Sequence, residues 1–314
     1  MSPNPQPTSP LLIIEEIRKN FMKCCFLVLI LIIIILGIGC LLGYYLDNLL
    51  YGLIIALGVC VIMIPIQLFT ARWAILNMVH GEPLDNKNPI HNKLRSITEG
   101  LSIAAGINIP DLYIIPSSIP NAFASGMSEQ TAFIGLTEGI INKLTVREVT
   151  GVIAHEISHI VHRDIMLSQI TIALVSVILF LSAVVSRLAF FGSPRGSKKR
   201  IAKGKAGLFV LIIVLCAFLL RPLATLISKL LMLAISRERE YAADAYAVRL
   251  CGYNEGLASA LEKISKIDEY DSEDIQELGG EQMKCMYIHF SDVDSLFSTH
   301  PPIQERVKRL RNMY

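Results

Sequence analysis

Cys24 to Leu46 is a run of 23 residues without a charge. The hydrocarbon core of a bilayer, about 30 Å thick, is crossed by roughly 20 helical residues, because a helix satisfies its own backbone hydrogen bonds there. The run is too long for the apolar core of a signal peptide and has no clear small-x-small cleavage site. It therefore reads as an uncleaved transmembrane helix. After the polar pair Asp47 and Asn48, Leu49 to Phe69 forms a second uncharged run, ending at Arg72 and Trp73. Arg beside Trp suits a membrane interface. Pro65 removes a backbone donor and is expected to kink this helix. Two further apolar runs follow, Ile165 to Ser186 and Gly207 to about Ile227. The whole chain is 53% hydrophobic and 18% charged, with a mean hydropathy of +0.51. Soluble domains carry about 25% charge, so a wholly soluble enzyme is excluded. A net charge of +2 gives no basis for nucleic-acid binding.

Charge sets the expected orientation. Arg18, Lys19 and Lys23 precede the first run, and no basic residue sits in the 47–48 turn. Positive charge stays inside, which places the N-terminus and everything after Arg72 in the cytoplasm of a multi-pass protein of the cell's inner membrane. Between the third and fourth runs lies a basic loop with Arg187, Arg195, Lys198, Lys199, Arg200, Lys203 and Lys205. If both runs span, this loop is outside and breaks the rule; otherwise the hairpin is re-entrant. Both alternatives return the chain to the same face. The expected organisation is a Pro-rich disordered tail over residues 1–10, a transmembrane hairpin over 11–71, and half a soluble domain over 72–164. A second hydrophobic hairpin over 165–234 and the other half-domain over 235–314 complete it. The seven cysteines contain no CxxC pair, so neither a zinc ribbon nor a redox pair is indicated.

Within the soluble halves, Ile90, Leu94, Ile97, Leu101 and Ala104 recur at helical spacing. Asp111 to Ile115 reads as a strand, and Asn121–Gly126 with Thr131–Leu136 as a β-hairpin. Thr145-Val146-Arg147-Glu148 is a capping box that starts a helix. Helices are also expected over Ser236–Leu250 and Asn254–Ile267. The stretch Asp268–Glu281, half of it acidic, reads as a surface loop.

The helix begun at Thr145 carries His155-Glu156-Ile157-Ser158-His159. Residues i and i+4 share one helix face, so both imidazoles can reach one ion. Glu156 flanks that ion and can take a proton from the attacking water. A catalytic zinc takes three protein ligands and keeps one position open. A metzincin would continue with Gly at position 162 and His at 165, where this chain has His162 and Ile165. A gluzincin takes its third ligand from a Glu on a second helix, followed four residues later by Asp. Glu240 and Asp244 supply that pattern. Asp244 is then expected to hold the free N–H of a ligand histidine. His162, one turn beyond His159, is either a fourth ligand, which would close the site, or a residue that supports it from outside the ligand set. Asp164 is expected to orient His162 or the helix end.

The motifs His-Glu-Ile-Ser-His at 155–159, Ser-Arg-Glu-Arg-Glu-Tyr-Ala-Ala-Asp at 236–244 and Ser-Thr-His-Pro-Pro at 298–302 followed by Arg306 resemble those of the HtpX-type membrane zinc endopeptidases. These are bacterial relatives of the CAAX prenyl proteases. The order of apolar runs and motifs agrees over about residues 20–310. The resemblance implies a mainly α integral membrane protein, with four hydrophobic helices and a zincin-like α+β catalytic domain containing a small hairpin sheet. It implies one zinc ion per chain on His155, His159 and Glu240, with Glu156 as the catalytic base. His300 would stabilise the oxyanion, and Arg306 would bind substrate or share that task. Asn121, Ala122, Phe123 and Ala124 would line the substrate edge strand. The implied partners are the bilayer and polypeptide substrates, above all misfolded or damaged membrane proteins, with a homo-oligomer or other quality-control proteases as further associates. A dedicated processing protease, acting for example on lipidated termini, is the alternative. A transporter or scaffold would leave the intact motif unexplained.

Overall fold

The computed structural model describes residues 10–45, 47–191, 222, 237–266 and 301–313. Residues 1–9 of the tail expected over 1–10, the fourth apolar run except Pro222, the acidic stretch 268–281 and His300 lie outside the described residues, while Pro10 already belongs to a helix. The described chain divides into two compact units. One draws on Met1–Met22, Arg72–Gln169 and Met232–Tyr314, and the other on Lys23–Ala71 and Ile170–Leu231.

Helix α1 (Pro10–Tyr45) and helix α2 (Leu49–Met78) form a hairpin through Asp47 and Asn48, with Lys23–Ala71 in the second unit and the outer ends of both helices in the first. The segment with Arg18, Lys19 and Lys23 and the first apolar run are thus one continuous helix. Pro65 lies inside α2, which continues past Phe69 and Arg72 because no residue before the turn at His80 and Gly81 breaks it. Glycines let the two helices touch: a Cβ on Gly52 would sit 2.2 Å from the Gly39 carbonyl oxygen. Apolar helices gain little from burying more apolar surface in lipid, so close backbone packing is what joins them. Among the described residues, two helices are long and apolar enough to cross a membrane, Ile17–Leu41 and Leu49–Met78. The third apolar run lies in α6 (Asp164–Phe191), which adds a span only if it is counted as one bent span with the helix before it. Four hydrophobic helices were expected; two candidate spans and α6 are what the described residues contain.

The first unit is built around a small mixed sheet. Its strands are β1 (Glu82–Pro83), β2 (Asp111–Ile115), β3 (Ala122–Ser125) and β4 (Phe133–Thr137), in the order β1-β2-β4-β3. β3 and β4 form the antiparallel hairpin, in register Ala122 to Leu136 and Ser125 to Phe133, and β2 runs parallel to β4. Among the described residues β3 is therefore a sheet edge. Phe133 meets Tyr113 and Phe123 edge to face, at 5.7 and 5.9 Å between ring centres. Helix α3 (Pro89–Ala105) starts on an Asn88 cap with Pro89 in its first turn, and ends at Gly106 with φ 71°. The short helix α4 (Glu138–Lys143) leads into α5 (Val146–Val161), which carries the histidine motif.

α5 is the central element. It packs on α3, on β3, on α7 (Arg237–Cys251) and on α8 (Glu255–Ile264), while α9 (Ile303–Arg311) covers α7 and α8. Val152, Ile153, Ile157 and Ile160 of α5 join Ile134, Leu136, Leu257, Leu261 and Leu310 in one buried cluster. Gly151 makes the approach to α8 possible, since a Cβ there would lie 2.7 Å from the Leu257 nitrogen. The capping box at Thr145 is formed: its hydroxyl accepts from the Glu148 N–H, and Glu148 accepts from the Thr145 N–H at 2.7 Å. Glu148 also accepts from Lys263 Nζ at 2.8 Å and from the Ser259 hydroxyl, tying the start of α5 to α8.

Burial raises the pKa of Glu148, but these hydrogen bonds outweigh it and hold the carboxyl at about 2. Because the folded value lies below the unfolded one, the contribution is complete above about pH 4.5 and fades as pH falls toward 2. Glu148→Ala removes a cap and two tertiary bonds and is expected to destabilise the protein by about 2–3 kcal/mol at pH 7. Thermal unfolding in detergent should give a smaller difference between variant and parent at pH 3.5 than at pH 7.

Candidate metal centre

The spacing within α5 puts His155 and His159 on one face, and the burial of that face aims both rings inward. Their Nε2 atoms are 3.2 Å apart and the rings meet edge to face, 4.8 Å between centres. Glu240, from the first turns of α7, brings its carboxylate between them. Oε2 lies 3.7 Å from His155 Nε2, and Oε1 lies 3.6 Å from His159 Nε2. One ligand atom from each of the three residues falls within a 4.8 Å group. Ligand atoms bound at about 2.0–2.1 Å in tetrahedral directions sit about 3.3 Å from one another. The observed separations are close to that, and two imidazoles with one carboxylate are a donor set that zinc accepts. The residues present fit the ion.

The opposite nitrogen of each ring faces a carboxylate. His155 Nδ1 lies 3.0 Å from Asp244 Oδ1, a contact bent away from a straight hydrogen bond, and His159 Nδ1 lies 3.1 Å from Asp164 Oδ2. A carboxylate on Nδ1 favours the tautomer with its proton there, which leaves the Nε2 lone pair for an ion. Asp244 thus lies behind His155. Asp164 has His159 as its partner, whereas it was expected beside His162 or at the helix end. The reason is the sharp bend at Arg163, whose φ of 57° ends α5 and starts α6 at Asp164, which brings that side chain to His159. His162 is no fourth member of the cluster. It is buried, caps α5 through Nδ1 to the Ser158 carbonyl at 2.7 Å, and rests edge-on against Tyr246.

Arg306 is the largest departure from expectation. It was read as a residue that binds substrate or helps stabilise the oxyanion, yet it is fully buried on α9. Its Nε and Nη2 donate to the two oxygens of Asp244 at 2.9 and 2.7 Å, and Nη1 lies 3.4 Å from Glu240 Oε2. Nη2 also lies 3.4 Å from His155 Nε2, so Arg306 meets Asp244 behind the site and two of the candidate ligands themselves. Two further residues had no distinguishing sequence signal. Arg239, beside Glu240, donates to Asp164 Oδ1 at 2.8 Å, and Asn20 of α1 donates to the same oxygen at 2.9 Å. An Arg in an alternating Arg-Glu run and a single Asn in a basic helix look like ordinary surface residues.

The electrostatics follow from this arrangement. Three carboxylates, Glu240, Asp244 and Asp164, surround the histidines against two guanidinium groups, so the shell favours one more cation. Burial pushes His155 down to about 4, despite the pull of Asp244. Burial acts on His159 in the same direction, but Asp164 and Glu240 overcome it and raise that ring to about 9. Glu156, almost fully buried, is pushed up to about 7, chiefly by burial. It also accepts a hydrogen bond from the Ala124 backbone, which places it against β3. The side chains of Asn121, Ala122, Phe123 and Ala124 are themselves buried. Asn121 ties the strand to Thr137 and caps the Ala122 N–H, and Phe123 packs on Phe133. What β3 can offer a ligand is therefore its backbone edge.

Residues 90–314 match the model of peptidase family M48. The Protease HtpX homolog of Listeria monocytogenes serotype 4a (strain HCC23) is 36% identical over 314 residues, covering 96% of this chain and 100% of its own. The Protease HtpX homolog of Streptococcus uberis (strain ATCC BAA-854 / 0140J) is 34% identical over 315 residues, covering 95% and 99%. Among solved structures, Ste24p of S. mikatae aligns with a TM-score of 0.48 at 22% identity, over 93% of this chain and 66% of that one.

Removing Arg306 leaves two buried carboxylates without their guanidinium partner. Breaking a buried pair in this way costs about 3–5 kcal/mol. Arg306→Met is expected to lose that much in chemical unfolding of the detergent-solubilised protein, and Lys308→Met, an exposed neighbour on α9, is expected to stay within about 0.5 kcal/mol of the parent.

Proposed function

Because the chain belongs to peptidase family M48 and is a membrane-bound metalloprotease, we propose that it is a zinc endopeptidase that cuts extended segments of membrane proteins at the cytoplasmic face. The observation that carries this reading is the convergence of His155, His159 and Glu240 on one point, with the buried Glu156 beside them and against a strand edge. The split soluble region, 72–164 with 235–314, is read as one catalytic domain interrupted by a hydrophobic segment.

When bound to His155, His159 and Glu240, zinc supplies a Lewis acid that polarises the scissile carbonyl and makes water a competent nucleophile near neutral pH. The remaining work falls to the chain's own groups. Glu156, raised to about 7, is poised to accept a proton from the attacking water and return it to the leaving amine. Asp244 and Asp164 hold the two imidazoles in the tautomer that presents Nε2. Arg306 holds Asp244 and acts through it, so it is a positioning residue in this reading. His300 retains the role of donor to the developing oxyanion, inferred from the family motif alone.

The edge of β3 supports the choice of substrate. An extended peptide adds to a sheet edge through main-chain hydrogen bonds, which read conformation more than sequence. A site at the membrane face that accepts any extended segment suits the removal of misfolded membrane proteins, a quality-control role. Cytoplasmic orientation rests on Arg18, Lys19 and Lys23 at the start of α1. Reporter fusions at the two ends of the hairpin test it.

The deciding experiment uses detergent-solubilised full-length protein, with zinc content and casein cleavage measured together. Glu156→Ala is expected to retain one zinc per chain and to lose cleavage by about 10²–10⁴-fold. Glu240→Ala is expected to lose the metal. Undiminished cleavage by Glu156→Ala would overturn the proton-transfer role, and normal zinc occupancy in Glu240→Ala would remove that residue from the ligand set. Cleavage of a single processing site with no activity on unfolded substrates would favour the dedicated processing protease instead.

A further inference from the structure

Asn20 sits on α1 just ahead of the first uncharged run, and its side chain is buried, with 2% of the residue exposed. Its Nδ2 donates to Asp164 Oδ1 at 2.9 Å, across 144 residues of sequence. Arg239 Nη1 donates to the same oxygen at 2.8 Å, while Oδ2 of that carboxylate faces His159 Nδ1 at 3.1 Å. The amide and the imidazole therefore grip opposite oxygens of one carboxylate.

That arrangement has a mechanical consequence. A carboxylate held by one oxygen alone can still swing about its terminal torsion, which is soft. Two donors arriving at Oδ1 from different elements, α1 and α7, fix the plane of the group and hence the direction of Oδ2. The direction of Oδ2 sets the ring of His159. A buried amide is costly unless bonded, so Asn20 also has little freedom to leave Asp164. Groups that orient a ligand from behind it typically account for about 10–100-fold in metal affinity.

We propose that Asn20 is a positioning residue of the metal centre, so that the start of the first membrane helix helps hold a metal ligand in place. This rests on the reading of His159 as a ligand. The helix then has a second task beside anchoring: a displacement of α1 that withdraws Asn20 loosens His159 and weakens metal retention.

The test uses the full-length protein in detergent, loaded with zinc and then exposed to excess chelator, with the rate of zinc loss as the readout. Asn20→Leu keeps the branched shape and removes the donor, and is expected to release zinc about 10-fold faster than the parent. Asn20→Asp sets a second carboxylate against Asp164 and is expected to release it faster still. Phe21→Ala, an exposed neighbour on the same helix, is expected to match the parent. In an Asp164→Asn background Asn20→Leu should add nothing, because the two residues act in series. A merely structural role for Asn20 would instead speed zinc loss equally in both backgrounds, and that result overturns the proposal. So does a parental release rate for Asn20→Leu. If Asn20→Leu does not fold, Asn20→Asp carries the test, and parental zinc retention in that variant overturns the proposal in the same way. His159→Ala separates the two levels of inference. Zinc retention by His159→Ala rejects the ligand reading itself, whereas loss there with parental behaviour in Asn20→Leu rejects only the role of Asn20.

Discussion

Two imidazoles on consecutive turns of α5 are useful to a metal only if both rings are held with the same nitrogen outward. Here each ring is held from behind by a carboxylate from another part of the chain, Asp244 from α7 and Asp164 from the start of α6. The rest of the unit can be understood as what it takes to bring those carboxylates there and keep them charged. Asp244 is kept ionised by the fork of Arg306, Asp164 by Arg239 and His159, and burial opposes both. Desolvating such charges costs several kcal/mol per ion unless partners surround them. The site therefore needs α9 and α7 in place before α5 can function, although neither helix contains the histidine motif.

The same requirement shapes the packing. α5 must be buried on nearly all sides to keep the site dry, and Gly151 lets α8 approach closely enough to seal it. The small sheet closes another side, and the buried Glu156 stands at that boundary, hydrogen-bonded to the backbone of β3. Burial, which raises the pKa of Glu156 toward neutrality, is also what makes an unsupported ligand costly. The raised pKa of Glu156 and the rigidity of the site thus come from one cause. The sharp bend at Arg163, a non-glycine residue at φ 57°, belongs to the same arrangement, because it brings Asp164 to the ring that precedes it by five residues.

Much of this could be read from local pattern. The cap at Thr145, the i, i+4 histidines, the β-hairpin and the α3 helix all depend on residues near one another in sequence, and they formed where their spacing placed them. The first two apolar runs were legible for a similar reason, since bilayer thickness demands an uninterrupted stretch. Asp244 could be expected behind a ligand because it follows Glu240 by one helical turn. Arg306, Arg239 and Asn20 could not be singled out so easily. Each is an ordinary polar residue on a helix, and its importance depends on which distant carboxylate it meets.

The sequence by itself determined that this chain has helices long and apolar enough to cross a membrane and a histidine helix able to present two imidazoles and a glutamate on an ion. Those properties follow from hydrophobic length and helical period, which are local. Only the tertiary structure decided that Asp164 serves His159 and not His162, that Arg306 is buried behind Asp244, and that the first helix supplies a donor to the same carboxylate. The physical reason is that a buried charge is tolerated only where its partners converge in space, and that convergence is fixed by the packing of helices far apart in the chain.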